Sequence, residues 1–397
     1  MGESAKYHPA TIAVHAADYD SITPAIPTVP PIYFATAYTF EDVNDLDAVF
    51  DDPRAGYAYS RFGNPTVRSL EAMMAGLEGA EASIAYPSGM AAVNGVFGHY
   101  AKPGTSVIVS RDVYGATLSL IRSQFAEIGV EVHVVDVTDL DALRSAAESV
   151  KPRLILAETI SNPLMKVTDI ATLAEIAHAT GAALAIDNTF ASPVLCRPLD
   201  LGADVVLHST TKYIGGHGDV LGGVVSGSEA VITGMRDLAR INGAVPGPMD
   251  AWLTVRGIHT LHLRMKAHSE NALTVAQWLE QDDRIDVVNY PGLETDTFAS
   301  QFLSDHRGGM LSFEIKGADI HNCFRYLEST KLIKAATTLG DVSTVTLHPA
   351  TSSQRGFSAD ERAAWGIKDN LVRLSVGIED ARDIIADLDQ AISAAMR

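Results

Sequence analysis

Past residue 63 the apolar positions of this chain follow two rhythms in turn. A period near 3.6 marks helices, and short unbroken apolar runs mark strands covered on both faces. Val67, Leu70, Met74 and Leu77 recur at helical spacing behind Asn64, a capping residue, and Pro65, which suits a first helical turn; Gly79 closes the element. Ser106–Ser110, residues 130–137, Leu154–Glu158, Ala183–Asp187 and residues 204–207 read as strands. Between them lie amphipathic stretches. Thr138 and Asp141 resemble a capping box before LDALRSAAE, and Ile170, Leu173, Ala174 and Ala177 share one face of a helix stopped by Gly181. Buried strands separated by helices predict an α/β fold with a mostly parallel central sheet between helices.

The rhythm changes near GAVPGPMD. One long helix is predicted over residues 251–281, followed by strands that alternate with period 2. In residues 309–315, Leu311, Phe313 and Ile315 share a face; in residues 371–377, Val372, Leu374 and Val376 point one way, and Arg373 and Ser375 the other. This predicts a smaller C-terminal α+β domain with an antiparallel sheet. The first 63 residues carry a Pro-rich stretch (24–31) and the acidic EDVNDLDAVFDD, with little to form a core, and read as an arm that packs elsewhere. The expected organisation is therefore an arm over 1–63, a large domain over 64–250 and a small domain over 251–397.

Charge narrows the partners. Thirty Lys and Arg face 49 Asp and Glu, a formal net charge of −19. Such a surface disfavours nucleic acid and anionic membranes. No run of about 18 apolar residues predicts a membrane span. Two cysteines cannot build a disulfide framework, and the first residues lack the basic head and apolar stretch of a secretory signal, so a cytoplasmic protein is expected.

Four segments each end a predicted strand or open a helix, where α/β sheets place ligands. In HSTTKYIGGHG, Lys212 follows a buried strand; removed from water its amine would be neutral and nucleophilic, and Ser209 and Thr211 could bind a phosphate. Taken singly, Lys212 reads as a surface lysine in a turn. In YPSGM, Ser88, Gly89 and Met90 open a helix, an anion site or an ordinary cap. Asp187 ends an apolar strand, where a carboxylate is costly unless paired; it could hold a proton on a heterocycle nitrogen or cap a turn. Asn162, before Pro163, offers its amide to a ligand oxygen or to turn chemistry. Together the four fit one site for a phosphorylated, aldehyde-bearing heterocycle.

At this point the chain resembles the pyridoxal-phosphate enzymes of cysteine and methionine metabolism, the group of cystathionine γ-synthase, the γ-lyases and the O-acylhomoserine sulfhydrylases. AYSRFGNPT (58–66), YPSGM, DVYGAT, IDNTF, GAVPGPMDAWLTVRG and LVRLSVGIED carry the likeness beside the lysine segment. The resemblance implies a type I aminotransferase-like fold and pyridoxal 5'-phosphate (PLP) held by Lys212 as a Schiff base. Asp187 would pair with the ring nitrogen, and Tyr114 would stack on the ring and act as an acid at the leaving group. Ser88, Gly89, Met90, Ser209 and Thr211 would take the phosphate, completed by Tyr59 and Arg61 of a neighbouring subunit. This implies a homo-oligomer of shared-site dimers, typically a tetramer. Arg373 would clamp the substrate carboxylate, helped by Asn162, Thr338 and Ser353.

The implied activity makes or breaks a Cγ–S or Cγ–O bond of a small amino acid. The expectation is a γ-lyase acting on a homocysteine- or methionine-like substrate, with γ-replacement, or a non-catalytic protein on the same fold, as alternatives. The family's distal markers are altered. Ala116 stands where methionine γ-lyases usually have cysteine, and Ser119 where cystathionine-handling enzymes usually have arginine. Ser343 replaces their usual glutamate, and Gln354 falls in an unusual run after His348-Pro349-Ala350. A smaller or less charged distal pocket is expected.

Motifs of other classes are missing: GGHGDVLGG is not a dinucleotide fingerprint, and no Walker A loop, Gly-x-Ser-x-Gly elbow or His-Glu-x-x-His pair occurs. His259, His262 and His268 fall on the predicted long helix and read as surface or interface residues, so no metal is expected.

Overall fold

The computed structural model describes residues 7–15, 27–52, 55–293 and 299–397. The large sheet has seven strands: β1 (Ala82–Tyr86), β2 (Ser106–Ser110), β3 (Glu131–Val135), β4 (Leu154–Glu158), β5 (Ala183–Asp187), β6 (Val205–His208) and β7 (Gly223–Gly227). Their order is β1-β7-β6-β5-β4-β2-β3. Only β7 runs antiparallel to its neighbours, so the sheet is mostly parallel, as its continuous apolar runs predict.

Both faces are covered. On one, Val107, Leu156, Ala185 and Leu207 pack against Val93, Phe97, Ile232 and Met235 of helices Gly89–Tyr100 and Glu229–Asn242. On the other, Ile155, Leu184 and Ile186 meet Leu143, Ile170 and Leu173 of helices Leu140–Val150 and Ile170–Ala179. Helix Pro65–Glu78 starts as expected: Asn64 Oδ1 accepts from Thr66 and Val67 N–H, and Gly79 ends it in the left-handed region at φ 69°.

Two expectations for helices need correction. The capping box of Thr138 and Asp141 does not form. The Thr138 hydroxyl donates to Asp136 Oδ1 at 2.7 Å, and Asp139 caps the helix by accepting from Ala142 N–H at 3.0 Å. The single helix over 251–281 is two, Pro248–Ile258 and Leu261–Glu280. Arg264 stabilises the break: its buried guanidinium takes the carbonyl of Gly257 at 2.7 Å together with those of Tyr213 and Ile214. The first of these helices buries Ala251, Val255 and Ile258 against Leu70, Met73 and Met74. His268 is not a surface residue. It is fully buried, with Nδ1 2.7 Å from the Val376 carbonyl, and burial drives its imidazole down to about 4.

The smaller sheet comprises β8 (Ile285–Asn289), β9 (Met310–Ile315), β10 (Lys334–Ala335), β11 (Val345–Leu347) and β12 (Leu371–Ser375), in the order β10-β11-β12-β9-β8. All its pairings are antiparallel except β10 with β11. Leu311, Phe313, Ile315, Val372, Leu374 and Val376 share one core with helices Leu261–Glu280 and Ala381–Ala395. The period-2 pattern therefore leaves Arg373 and Ser375 on the face turned to the large sheet.

In the N-terminal region, helix Pro9–His15 buries Ile12 and Ala13 against the Pro65–Glu78 helix. The Trp252 indole N–H donates to the Pro30 carbonyl at 3.0 Å, fastening the chain there. Residues 24–26 of the Pro-rich stretch lie outside the described residues. Among the described residues, no helix is long and apolar enough to cross a membrane.

Candidate active site

The ends of β4 and β5, the loops after β2 and β6, the start of helix Gly89–Tyr100 and the inner face of β12 converge on one cavity of about 380 Å³. Ser88, Gly89, Met90, Tyr114, Asn162, Asp187, Ser209, Thr211, Lys212, Ser353 and Arg373 all line it. Residues more than 280 positions apart in sequence are thus brought together.

Lys212 follows β6 and is largely buried. Its Nζ donates to Thr338 Oγ1 at 3.3 Å, and burial, aided by the positive charge of Arg373, pushes its ammonium down to about 8. The surface-lysine reading fails on this burial. Arg373 is only 4% exposed. It donates to Asn162 Oδ1 and to the Thr338 carbonyl, each at 3.1 Å, and burial draws it down to about 10. It therefore stays cationic at neutral pH, with no carboxylate on it among the described residues.

Asp187 accepts from Thr189 N–H at 3.0 Å and from the Thr189 hydroxyl at 2.5 Å. Burial raises its carboxyl, and the Thr189 bonds work against that rise. Asn162 is less free than expected, since its side-chain oxygen already serves Arg373 and its carbonyl accepts from Gln354 Nε2 at 3.1 Å.

The residues at the helix start fit a phosphate. Ser88 caps the twelve-residue helix by accepting from Ala91 N–H, which leaves the first amides at the cavity wall. A Cβ on Gly89 would come within 2.8 Å of Ser209 Cβ, so only glycine permits this approach. The Thr211 hydroxyl is engaged by Gly222 N–H at 3.0 Å. Ser353 Oγ is buried without a partner among the described residues, a polar atom left for a ligand.

Tyr59 and Arg61 are not brought to this cavity. Tyr59 is exposed, while Arg61 lines a separate cavity, donates to the Arg240 carbonyl at 2.8 Å and lies 4.7 Å from the Phe62 ring centre. Ala116, Ser119, Ser343 and Gln354 do not line the cavity either. Among the lining residues to which the sequence assigned no role are Thr189, Phe190 and Glu158. Thr189 and Phe190 sit inside the quoted IDNTF segment; Glu158 ends β4 as Asp187 ends β5, the same signal.

The fold and site define a pyridoxal-phosphate enzyme of the lysine-anchored α/β type. A buried low-pKa lysine, a carboxyl at the tip of a parallel strand and a glycine-bearing helix start suit an aldehyde, a pyridine nitrogen and a phosphate. The chain belongs to the Cys/Met metabolism PLP-dependent enzyme family, which it matches over residues 10–393. It is 42% identical to the L-methionine gamma-lyase of Pseudomonas putida over 97% of both chains. It is 41% identical to the O-succinylhomoserine sulfhydrylase of Pseudomonas aeruginosa over 91% of this chain and 90% of that one. The crystal structure of cystathionine gamma synthase from Xanthomonas oryzae pv. oryzae, in complex with cystathionine, superposes with a TM-score of 0.92 at 35% identity, covering 98% and 99% of the two chains. The chain is thus a PLP-dependent enzyme of the γ-lyase and γ-replacement group.

Proposed function

We propose that this protein is a γ-lyase that eliminates a neutral sulfur substituent from Cγ of a methionine- or homocysteine-like amino acid. The observation that carries the proposal is the charge inventory of the cavity. Its charged lining residues are Glu158, Asp187, Lys212 and Arg373. Lys212, Asp187 and Arg373 have tasks near the cofactor or the α-carboxylate and Glu158 is an acid, so among the described residues this chain offers no cation for a second carboxylate at the far end of the substrate. The rest of the wall includes Met90, Val93, Ile160, Phe190, Leu221, Leu339 and Leu347. Such a wall suits a thioether or thiol and rejects the distal charge of cystathionine or an O-succinyl group.

PLP, when bound, supplies an electron sink that stabilises negative charge at Cα. Asp187 keeps a proton on the ring nitrogen, and Ser88, Gly89, Met90, Ser209 and Thr211 receive the phosphate. Arg373 fixes the α-carboxylate through two N–H groups, with Asn162, Thr338 and Ser353 around it. The Lys212 amine, neutral in a large fraction near pH 8, takes the Cα proton and moves protons between Cα and Cβ. The Tyr114 hydroxyl protonates the departing sulfur. Water completes the balance: substrate plus one water gives a thiol, ammonia and a 2-oxo acid.

Tyr59 and Arg61 reach the phosphate of a neighbouring subunit, so the working unit is a dimer with shared sites, paired into a tetramer. Both cysteines are buried and unpaired, which suits a cytoplasmic enzyme.

A substrate panel tests the proposal. Purified enzyme receives methionine, homocysteine, cystathionine, O-acetylhomoserine and O-succinylhomoserine, each with and without sulfide or cysteine. Release of 2-oxobutyrate from methionine or homocysteine, well above that from cystathionine, is expected. A new thiol or thioether from an O-acyl substrate, with no oxo acid, would replace elimination with γ-replacement. A folded protein that takes up no PLP would be a non-catalytic relative.

A further inference from the structure

Glu158 is a buried acid on the cavity wall to which no reaction step is assigned. It is the last residue of β4 and the register partner of Asp187, the last residue of β5. Parallel neighbours lie about 4.8 Å apart and share a face, so two carboxyls stand side by side under the same site. Glu158 is 8% exposed, and no lysine, arginine or histidine forms an ion pair with it among the described residues.

Its polar partners are backbone amides. Glu158 Oε1 accepts the Tyr114 N–H at 2.7 Å, and the Asn162 backbone amide favours the charged form of the same carboxyl. Tyr114 begins the short helix Gly115–Leu120 with no side-chain cap, so its amide depends on Glu158. Asn162 in turn holds Arg373.

We propose that Glu158 is a positioning residue: its carboxyl ties the Tyr114 loop to the Asn162 loop and thereby sets the ring-facing tyrosine and the carboxylate-binding arginine in register. The proposal rests on the assignment of Tyr114 and Arg373 to the PLP and substrate site. Burial and the adjacent Asp187 both push the Glu158 carboxyl up, and the amides bonded to it work against that rise. A glutamine carbonyl can accept the Tyr114 N–H as the carboxyl does; a leucine of similar bulk cannot.

The test compares Glu158→Gln, Glu158→Leu and Glu158→Asp in the full enzyme. PLP affinity is read by titrating cofactor-free protein, together with KM, kcat and the melting temperature. Leucine leaves the Tyr114 amide without a partner, and PLP affinity is expected to fall about tenfold with a rise in KM. Glutamine is expected to restore both to within about twofold. Aspartate, one methylene short, should fall between and covers the case in which the leucine variant does not fold. Wild-type PLP affinity and KM in a folded leucine or aspartate variant would overturn the proposal, as would a glutamine variant as impaired as leucine. Failure of the underlying site assignment shows separately, as wild-type protein whose Lys212 is not labelled by PLP and borohydride.

Discussion

Lys212 offers a test that does not depend on turnover. Burial, with a smaller contribution from the Arg373 guanidinium, lowers its ammonium from 10.5 to about 8. At pH 7 this gives about 300 times more neutral amine than an unperturbed lysine would have. Cofactor-free protein is exposed to a trace of acetic anhydride from about pH 6 to about pH 11, and acetylation of the Lys212 peptide is quantified by mass spectrometry. The same protein unfolded in urea is the reference. The expected midpoint is near 8 when folded and near 10.5 when unfolded. Arg373→Met should raise the folded midpoint, because it removes the second cause of the shift.

The same displacement acts on stability. Between about 8 and 10.5 the unfolded chain binds more protons at this position than the folded one, so this site's contribution to stability rises with pH across that window. The full span amounts to about 3 kcal/mol, flat below the window because the lysine is then protonated in both states. Lys212→Met should abolish the slope, and the difference between the two proteins cancels the other titrating groups. A folded midpoint at 10.5, or identical slopes for wild type and Lys212→Met, would refute the assignment of Lys212 as a buried amine that loses its proton more readily than a free lysine.

Arg373→Lys should raise KM about a hundredfold while the cofactor absorbance persists, because a single ammonium cannot reproduce the two-pronged grip on a carboxylate; steady-state kinetics decide it, and an unchanged KM removes Arg373 from the substrate site. Glu78 and His208 are fully buried and joined at 2.5 Å through Glu78 Oε1 and His208 Nε2. Glu78→Leu should therefore cost on the order of 3 kcal/mol in urea unfolding, against well under 1 for a surface change. Mixing Arg61→Ala with Lys212→Ala subunits after dissociation should restore activity toward about a quarter of the sites, since half the dimers are mixed and each carries one intact site; no recovery would contradict sharing.

Much of this architecture could be read from local patterns because its causes are local. Asn64, Pro65 and Gly79 bound a helix through their own backbone chemistry. The alternation along Leu371–Ser375 put Arg373 on the face opposite Val372 and Leu374, which is the face that meets Lys212. What escaped was settled across long separations. The break at His259–Thr260 depends on Arg264 capturing carbonyls of Tyr213 and Ile214, some fifty residues earlier, and no periodicity encodes it. His268 looked like one of three surface histidines, yet it docks on the carbonyl of Val376, 108 residues away. Glu158 carried the same mark as Asp187, a carboxyl at the tip of an apolar strand, and its partner amide lies 44 residues upstream.

The ionisable groups of the cavity are held apart rather than paired. Among the described residues, Lys212, Arg373, Asp187 and Glu158 form no ion pair with one another. Each instead leans on neutral dipoles: Lys212 on the Thr338 hydroxyl, Arg373 on Asn162 and the Thr338 carbonyl, Asp187 on Thr189, Glu158 on the Tyr114 amide. Direct pairing of Arg373 with either acid would stabilise the empty protein more, since an unpaired buried charge is costly. It would also leave nothing to attract a carboxylate. Dipoles satisfy the geometry of each group without cancelling its charge, so electrostatic attraction is reserved for the ligand: the α-carboxylate at Arg373 and the protonated ring nitrogen at Asp187. On this logic the cavity is a destabilised region that binding relieves. Cofactor and substrate should therefore raise the stability of this enzyme by more than their contact area alone implies.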